Sequence, residues 1–474
     1  MPIEFTGTYT DLYQIAMGQA MFRDGLHLRP ATFDYFFRRT PFGGGYSVFA
    51  GLEPLLDALE DWHFSAAEID YLGSHGFEPA YLEFLRGLRF GGSIHAPAEG
   101  EPVFPTEPVL RVTGSIVEVQ LIETLLLNIL NYSSLIATKA ARMREVAGDA
   151  ILSEFGLRRA PGPGGVLAAR AAVVGGFDST SNVYAAQRYG IRAEGTMAHA
   201  FIQWHGDELA AFRAFARARP DNTVLLVDTY DTLGSGIPNA ITVAREMRAR
   251  GQQLRAVRLD SGDLAFYARQ ARALFDAAGF PEVKIAASNQ HDEYIIRSLR
   301  QQGAPIDIYG VGTSLVTGQP DAALDGVYKL AEADGQPRIK ISDNLAKTTL
   351  PGCKQTLRFV DGDGQFAGFD AIVAESEGVP ARLLHPFEAH KSMQVPAGLT
   401  ALPLLQPVME RGQRLRPPPT LADIQAHCRQ RLALLPPEYR RFEYPHQYKV
   451  GISPALHALR EQLRTSQNQS EDQA

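Results

Sequence analysis

Cysteine is almost absent. Cys353 and Cys428 are the only two in 474 residues, too few and too far apart for a disulfide framework or the paired spacing of a zinc site, so both are read as structural thiols. No apolar run reaches the roughly 18 residues of a membrane span. The opening MPIEFTGTYTDLYQ has no basic segment followed by an apolar stretch, so neither a leader nor a membrane anchor is expected and the cytoplasm is the expected location. Positive charge is not in excess either. A formal net charge of -7 argues against a general nucleic-acid binder, which needs a basic face along the phosphates, but leaves anionic small molecules open because a few arginines suffice. No repeat of fixed period is present.

What is present is an ordinary globular composition, 45% hydrophobic and 21% charged, on a chain long enough for two domains. Residues 1–140 read as an N-terminal α+β domain. It begins with a helix over 11–22 that carries Leu12, Ile15, Ala16 and Gln19 at helical spacing behind Thr10 as cap. A small β-layer follows, in the Gly- and Pro-punctuated stretch from Phe90 to Val119. A long helix over 118–146, broken near Asn131 to Ser134, closes the domain.

Residues 141–395 have a different rhythm. Short apolar runs end in polar residues and helical segments follow, in AILSEFG, AEGTMAHAF, TVLLVDTYD, AVRLDSGD, VKIAASN and IDIYGVGTS. Strands alternating with helices imply right-handed crossovers and a parallel sheet buried on both faces. The fold class read from this pattern is α/β, an irregular α/β barrel of parallel strands plus an α+β domain formed by the N-terminal and C-terminal segments. Residues 396–463 read as a Pro-rich connector and C-terminal helices packing on the N-terminal domain, and 464–474 as a disordered tail.

Barrels bind ligands at the C-terminal ends of their strands, which here carry Glu154, His199, Asp228, Asp260, Ser288 and Gly312. Asp228 and Asp260, each closing an apolar run, suit either a divalent ion and developing positive charge or helix caps. Arg258 shares a strand face with Asp260, as an ion pair or an anion clamp. Gly312 and Thr313 in YGVGTSL could offer backbone N–H groups to an anion or serve only a turn. Asp178 reads as a cap, and Ser181 could look into the barrel mouth. Arg158 and Arg159 suit phosphate or solvent, and Arg38 and Arg39 carry the same ambiguity. His199, in apolar TMAHAF, reads from pattern alone as a hydrogen-bonded core histidine.

Eight motifs in order change that reading. TDLYQ at Thr10, FGLRRA at Phe155, GGFDSTSN at Gly175, GTMAHAF at Gly195, LLVDTYD at Leu225, VRLDSGDL at Val257, YGVGTSL at Tyr309 and KTTLPGCKQ at Lys347 resemble nicotinate phosphoribosyltransferases. The resemblance implies a type II phosphoribosyltransferase barrel that joins nicotinate to phosphoribosyl pyrophosphate with Mg²⁺, ATP hydrolysis being coupled through a phosphohistidine at His199. It further implies that Asp228 and Asp260 face the ribose and the magnesium pyrophosphate, with Asp260 as the Mg²⁺ ligand. Arg158, Gly312 and Thr313 would hold the 5′-phosphate, and Arg258 and Thr196 the nicotinate carboxylate. Phe155, and Tyr13 from a second subunit of a homodimer, would stack on the pyridine.

Ser181 stands where nicotinamide-using relatives carry an acid, which favours the acid substrate. This chain departs from the family in two ways: Cys428 alone cannot form the C-terminal cysteine cluster of some members, and the Pro- and Gly-rich 161–166 loop makes Arg159 a weaker assignment than Arg158. The competing readings are a nicotinamide or quinolinate phosphoribosyltransferase, a barrel lyase or aldolase, and a nucleotide-binding protein that has lost turnover.

Overall fold

A computed structural model describes residues 4–342, 348–388 and 390–471, with side chains to 466. The chain forms two compact units, one of residues 1–138 with 323–474 and the other of residues 139–322. The barrel unit therefore ends near Ala322 and not at 395. The reason is strand pairing: Gly326–Ala333 lies antiparallel to Pro30–Phe37, with Phe33 stacked on Tyr328 at 4.8 Å, so the chain has already returned to the first unit.

The first unit is an α+β structure assembled from both ends of the chain. Its seven-stranded sheet runs Gln336–Pro337, Gly326–Ala333, Pro30–Phe37, Leu110–Ser115, Ser93–Ala96, Gln406–Glu410 and Gln413–Arg414. A six-stranded sheet is built from later residues, with Lys449–Ile452 and Phe366–Ala374 at its centre. The expected connector from 396 thus contains strands, Thr400–Pro403 and Gln406–Glu410 pairing with Lys354–Val360 and Ser93–Ala96. Pro403 ends one of these short strands and Pro407 lies next to the start of the other, where a ladder tolerates a missing N–H, and Pro396 and Pro417 to Pro419 lie outside strands.

Leu421–Leu434 does pack on N-terminal residues, Cys428 against Gly100 and Arg431 against Glu101. Pro454–Glu471 packs against Phe366–Ala374 and Arg382–Leu384, and continues through much of the segment expected to be disordered.

Two further expectations change. Asp11, not Thr10, is the N-cap of Leu12–Arg23, while the Thr10 hydroxyl donates to the Leu121 carbonyl. Leu12 is exposed, and Gln14, Ile15 and Gly18 form the buried face. The long helix breaks at Ile122, between Ile116–Leu121 and Glu123–Ala147, and runs unbroken through 131–134, with Ser134 and, one turn further on, Thr138 buried and hydrogen-bonded.

The second unit holds one six-stranded, all-parallel, curled sheet. Its spatial order is Ser179–Thr180, Ile151–Glu154, Ile308–Val311, Lys284–Ala287, Ala256–Leu259 and Val224–Leu226. Helices connect the strands as the apolar spacing predicts. Ile237–Ala249 buries Ala240, Ile241, Val243, Ala244 and Met247, and Asp292 caps Glu293–Gln301 through the N–H groups of Tyr294 and Ile295. Each such cap contributes about 1 kcal/mol.

Five of the six expected runs are strands. The sixth, AEGTMAHAF, is not. It gives a single bridge, Thr180 to Ala193, after which the Thr196 hydroxyl accepts from the Met197 N–H and a helix starts at His199. A side chain that satisfies the backbone locally competes with a ladder, and the vacant place in the sheet goes to Ser179–Thr180 from GGFDSTSN.

Candidate active site

The C-terminal ends of the parallel strands converge on one polar cluster. Asp260 directly follows Ala256–Leu259. Its Oδ1 accepts from the Arg258 guanidinium at 2.8 Å and from the Ser288 hydroxyl. Arg258 reaches Ser288 with Nε at 2.8 Å and the Met197 carbonyl with a second nitrogen at 3.4 Å. All three guanidinium nitrogens donate, so the planar fork is fixed. Asp228, beyond Val224–Leu226, accepts from the Asp260 N–H at 2.7 Å and the Ser261 hydroxyl at 2.8 Å.

Neither aspartate is a helix cap. Asp231 and Asp263 take that role, which leaves the strand-end carboxylates available. Burial alone would raise the Asp260 pKa, but the Ser288 hydroxyl, Arg258 and His199 outweigh it and hold the group below the usual aspartate range.

His199 is the first residue of its helix, not a strand end. Its Nδ1 shares a 3.0 Å hydrogen bond with the Thr229 hydroxyl, and its Nε2 faces Asp260 Oδ2 at 3.9 Å with the side chain 40% exposed. The ring is held at one nitrogen and open at the other. The imidazole is thus oriented, and its second nitrogen can be approached.

One carboxylate oxygen, Asp228 Oδ1, is buried without a protein partner. Among the described residues no group of three or more His, Cys, Asp or Glu side chains forms a metal-binding set. These facts fit Mg²⁺ held by one or two carboxylates together with substrate phosphates, and do not fit a cage built by the protein alone. Asp260 Oδ2 and Asp228 Oδ1 are the oxygens available for it.

Behind the cluster a cavity runs into the barrel between Phe155, Ser179, Thr196, Arg258, Ser288 and Gly310. A side-chain carbon at Gly310 would fall 2.5 Å from the Phe155 ring, so glycine is needed for the ring to lie there. Gly310→Ala should push the ring aside at the cost of overpacking, about 1–3 kcal/mol, and raise KM by about tenfold for a substrate that stacks on it; unchanged KM would show that Phe155 does not face the substrate.

Similarity to known proteins now becomes decisive. Three family models match in chain order: the nicotinate phosphoribosyltransferase (NAPRTase) N-terminal domain over residues 8–131, the NAPRTase family over 151–363 and the C-terminal domain over 353–460. The chain belongs to the nicotinate phosphoribosyltransferase family. A nicotinate phosphoribosyltransferase of Bacillus subtilis is 45% identical over 455 residues, 94% of this chain and 92% of that protein. The Homo sapiens enzyme is 36% identical over 523 residues, 97% of each. A crystal structure of human nicotinic acid phosphoribosyltransferase superposes with a TM-score of 0.85 at 35% identity, covering 96% of this chain and 99% of the other.

Against this family frame, the residues expected to act are unevenly gathered. Asp228, Asp260, Arg258 and His199 form one network, and Phe155 and Thr196 line the adjoining cavity. Gly312 caps the short turn of helix Thr313–Val316 at the end of Ile308–Val311. Arg158 and Arg159 lie exposed on the turn after Ile151–Glu154. Ser181 is partly buried and donates its N–H to the Glu154 carbonyl at 2.8 Å. Asp178 is no cap. It accepts from the Leu152 N–H and Arg144, and Asn182 caps Val183–Tyr189. Tyr13 belongs to the other unit, half exposed on Leu12–Arg23. So do Arg38, over the Phe36 ring, and Arg39, paired with Asp325. Lys347, which opens the last motif, lies outside the described residues.

Thr229 was not among the expected site residues, and Ser288 was expected only as a strand end. The signal for Thr229 was its place beside Asp228; the contacts of Ser288 to Arg258 and of Thr229 to His199 depend on the fold.

Proposed function

We propose that this protein joins nicotinate to phosphoribosyl pyrophosphate, giving nicotinate mononucleotide and pyrophosphate for NAD salvage, with ATP hydrolysis coupled through phosphorylation of His199. The observation that carries the site reading is the hydrogen-bonded set of Asp228, Asp260, Arg258, Ser288 and His199 beside the Phe155 cavity. Nicotinate N1 forms a bond to the ribose C1 as the bond from C1 to the pyrophosphate oxygen breaks, and the electron pair leaves with pyrophosphate. Positive charge that develops on the ribose faces the two aspartates, and the oriented site supplies most of the acceleration. Arg258 and Thr196 take the nicotinate carboxylate, Phe155 and a partner's Tyr13 stack on the ring, and Arg158, Gly312 and Thr313 take the 5′-phosphate. Asp260 and Asp228 would hold Mg²⁺, which neutralises pyrophosphate when bound.

A homodimer belongs to the same proposal. Its support is exposed apolar surface on each unit considered separately: Leu12, Tyr13 and Met17 on one helix, and Val183, Tyr184 and an 89% exposed Trp204 in the barrel unit. A cytoplasmic site of action is consistent with two free thiols, both pushed up to about 12 by burial. Among the described residues no helix is long and apolar enough to cross a membrane.

An aldolase reading finds little support. The barrel unit's lysines are Lys139, buried against Glu293, and Lys284, at the start of its strand. Mass detection of the mononucleotide from nicotinate, nicotinamide and quinolinate, with and without ATP, tests the whole reading. Product from nicotinate alone, increased by ATP, is expected; preference for another pyridine would overturn it. His199→Ala should abolish turnover-coupled ATP hydrolysis while retaining some transfer at high donor concentration, and full coupling in that variant would reject the phosphohistidine.

A further inference from the structure

Glu154 ends the strand Ile151–Glu154 as a fully buried carboxylate that none of the roles above uses. Its contacts are distributed in a particular way. Oε1 accepts from the Gly156 N–H, at the start of the turn that carries Leu157, Arg158 and Arg159. Oε2 accepts from the Thr180 hydroxyl at 2.5 Å. Its own carbonyl accepts from the Ser181 N–H at 2.8 Å.

Thr180 Oγ1 accepts in turn from the Asn182 N–H at 3.0 Å, so its proton is free to go to the carboxylate. Asn182 caps Val183–Tyr189 through the Ala185 N–H at 3.1 Å and donates to the Gly165 carbonyl, also at 3.1 Å. One carboxylate and one hydroxyl therefore join two loops, the Phe155–Arg159 turn and the Ser179–Asn182 turn, and Asn182 ties the second of them to Gly165 in the first turn of the helix Pro163–Val174.

Burying a carboxylate is costly, and the partners found here are neutral donors. Burial raises its pKa, only partly opposed by Thr180 and Gly156. A buried, fully engaged acid at the junction of two loops is poorly explained by stability, since an apolar pair of the same shape would fill that space at lower cost. It is well explained by the need to fix two loops relative to each other, because small displacements of reacting groups lower rates steeply.

We propose that Glu154, acting with Thr180, is a positioning residue for the transfer: it sets the Phe155–Arg158 turn against Ser181 so that the pyridine and the ribosyl phosphate meet in register. This rests on reading Phe155, Arg158 and Ser181 as substrate contacts.

The test compares Glu154→Gln, Thr180→Val and Thr180→Ser in the full-length protein, with KM and kcat measured for nicotinate and for phosphoribosyl pyrophosphate. Glu154→Gln and Thr180→Val should raise both KM values about tenfold and lower kcat, while Thr180→Ser, which keeps the hydroxyl, should restore them. Should Glu154→Gln fail to fold, the Val and Ser pair at Thr180 decides alone. A lowered melting temperature with unchanged KM and kcat in Thr180→Val would make the contact merely structural and overturn the proposal. Arg158→Ala and Ser181→Ala are measured alongside. If they raise KM and Thr180→Val does not, the positioning role fails; if they leave KM unchanged, the underlying assignment of substrate contacts fails and the proposal falls with it.

Discussion

Replacing Asp260 with alanine should lower kcat/KM for mononucleotide formation by about three orders of magnitude, a loss near 4 kcal/mol of transition-state stabilisation. The size of the effect follows from how many groups converge on this carboxylate. It holds Arg258 and Ser288 on one oxygen, faces His199 with the other, and its backbone N–H fixes Asp228. Removing it withdraws negative charge from the ribose side of the site and releases the arginine expected to grip nicotinate.

Asp260→Asn separates these effects. The amide keeps one acceptor for Arg258 but not the charge, so KM for nicotinate should change less than kcat. Circular dichroism of both variants guards against misfolding, and a loss below tenfold in folded Asp260→Ala would remove this residue from the reaction. The pH dependence has a definite sign. Because the folded pKa lies below the ordinary value, the charge is fully present above the unfolded pKa and is lost only as pH falls through the folded one. An acid limb in kcat/KM near neutrality must therefore come from another group.

The second large effect concerns stability. Arg358→Leu should destabilise the protein by about 3–5 kcal/mol, the cost of leaving buried charge unpaired. Arg358 is fully buried, with Asp370 at 2.8 Å, Glu107 at 3.8 Å and Glu101 as a third partner. Its guanidinium lies 4.5 Å from the centre of the Phe366 ring. Arg431 and His427 also face Glu101. The balance is uneven: His427, Arg358 and Arg431 hold Glu101 down to about 2 against its burial, whereas burial and Asp370 push Glu107 well above the usual range.

Without Arg358 the remaining carboxylates should bind protons on folding. Stability of the variant should then fall as pH rises from the unfolded carboxylate value toward the raised folded one. Urea melts at pH 5 and pH 8 check this, and an equal loss at both would show that the missing charge is not the cause.

Much of the fold was legible because repeated local patterns report it. Apolar runs with polar ends marked five of the six parallel strands, and helices do follow the runs as the alternation implied. AEGTMAHAF misled because its alternation resembles a strand, whereas the Thr196 hydroxyl satisfies the backbone locally and nothing in composition announces that. The strand Gly326–Ala333 misled in another way. Its membership in the first unit comes from pairing with Pro30–Phe37, nearly three hundred residues earlier, and strand pairing at that distance leaves no local trace.

The sequence by itself determined the class of fold, the family and the carboxylates at the strand ends, because these depend on the order of motifs and on hydrophobic period. Only the tertiary structure decided that Ser288 and Thr229 hold Arg258 and His199, that Asp228 Oδ1 is buried without a protein partner, and that a buried Glu154 joins two loops. Those are meetings of side chains from separate strands, and hydrogen bonding across a sheet depends on register and burial, which a linear pattern does not contain.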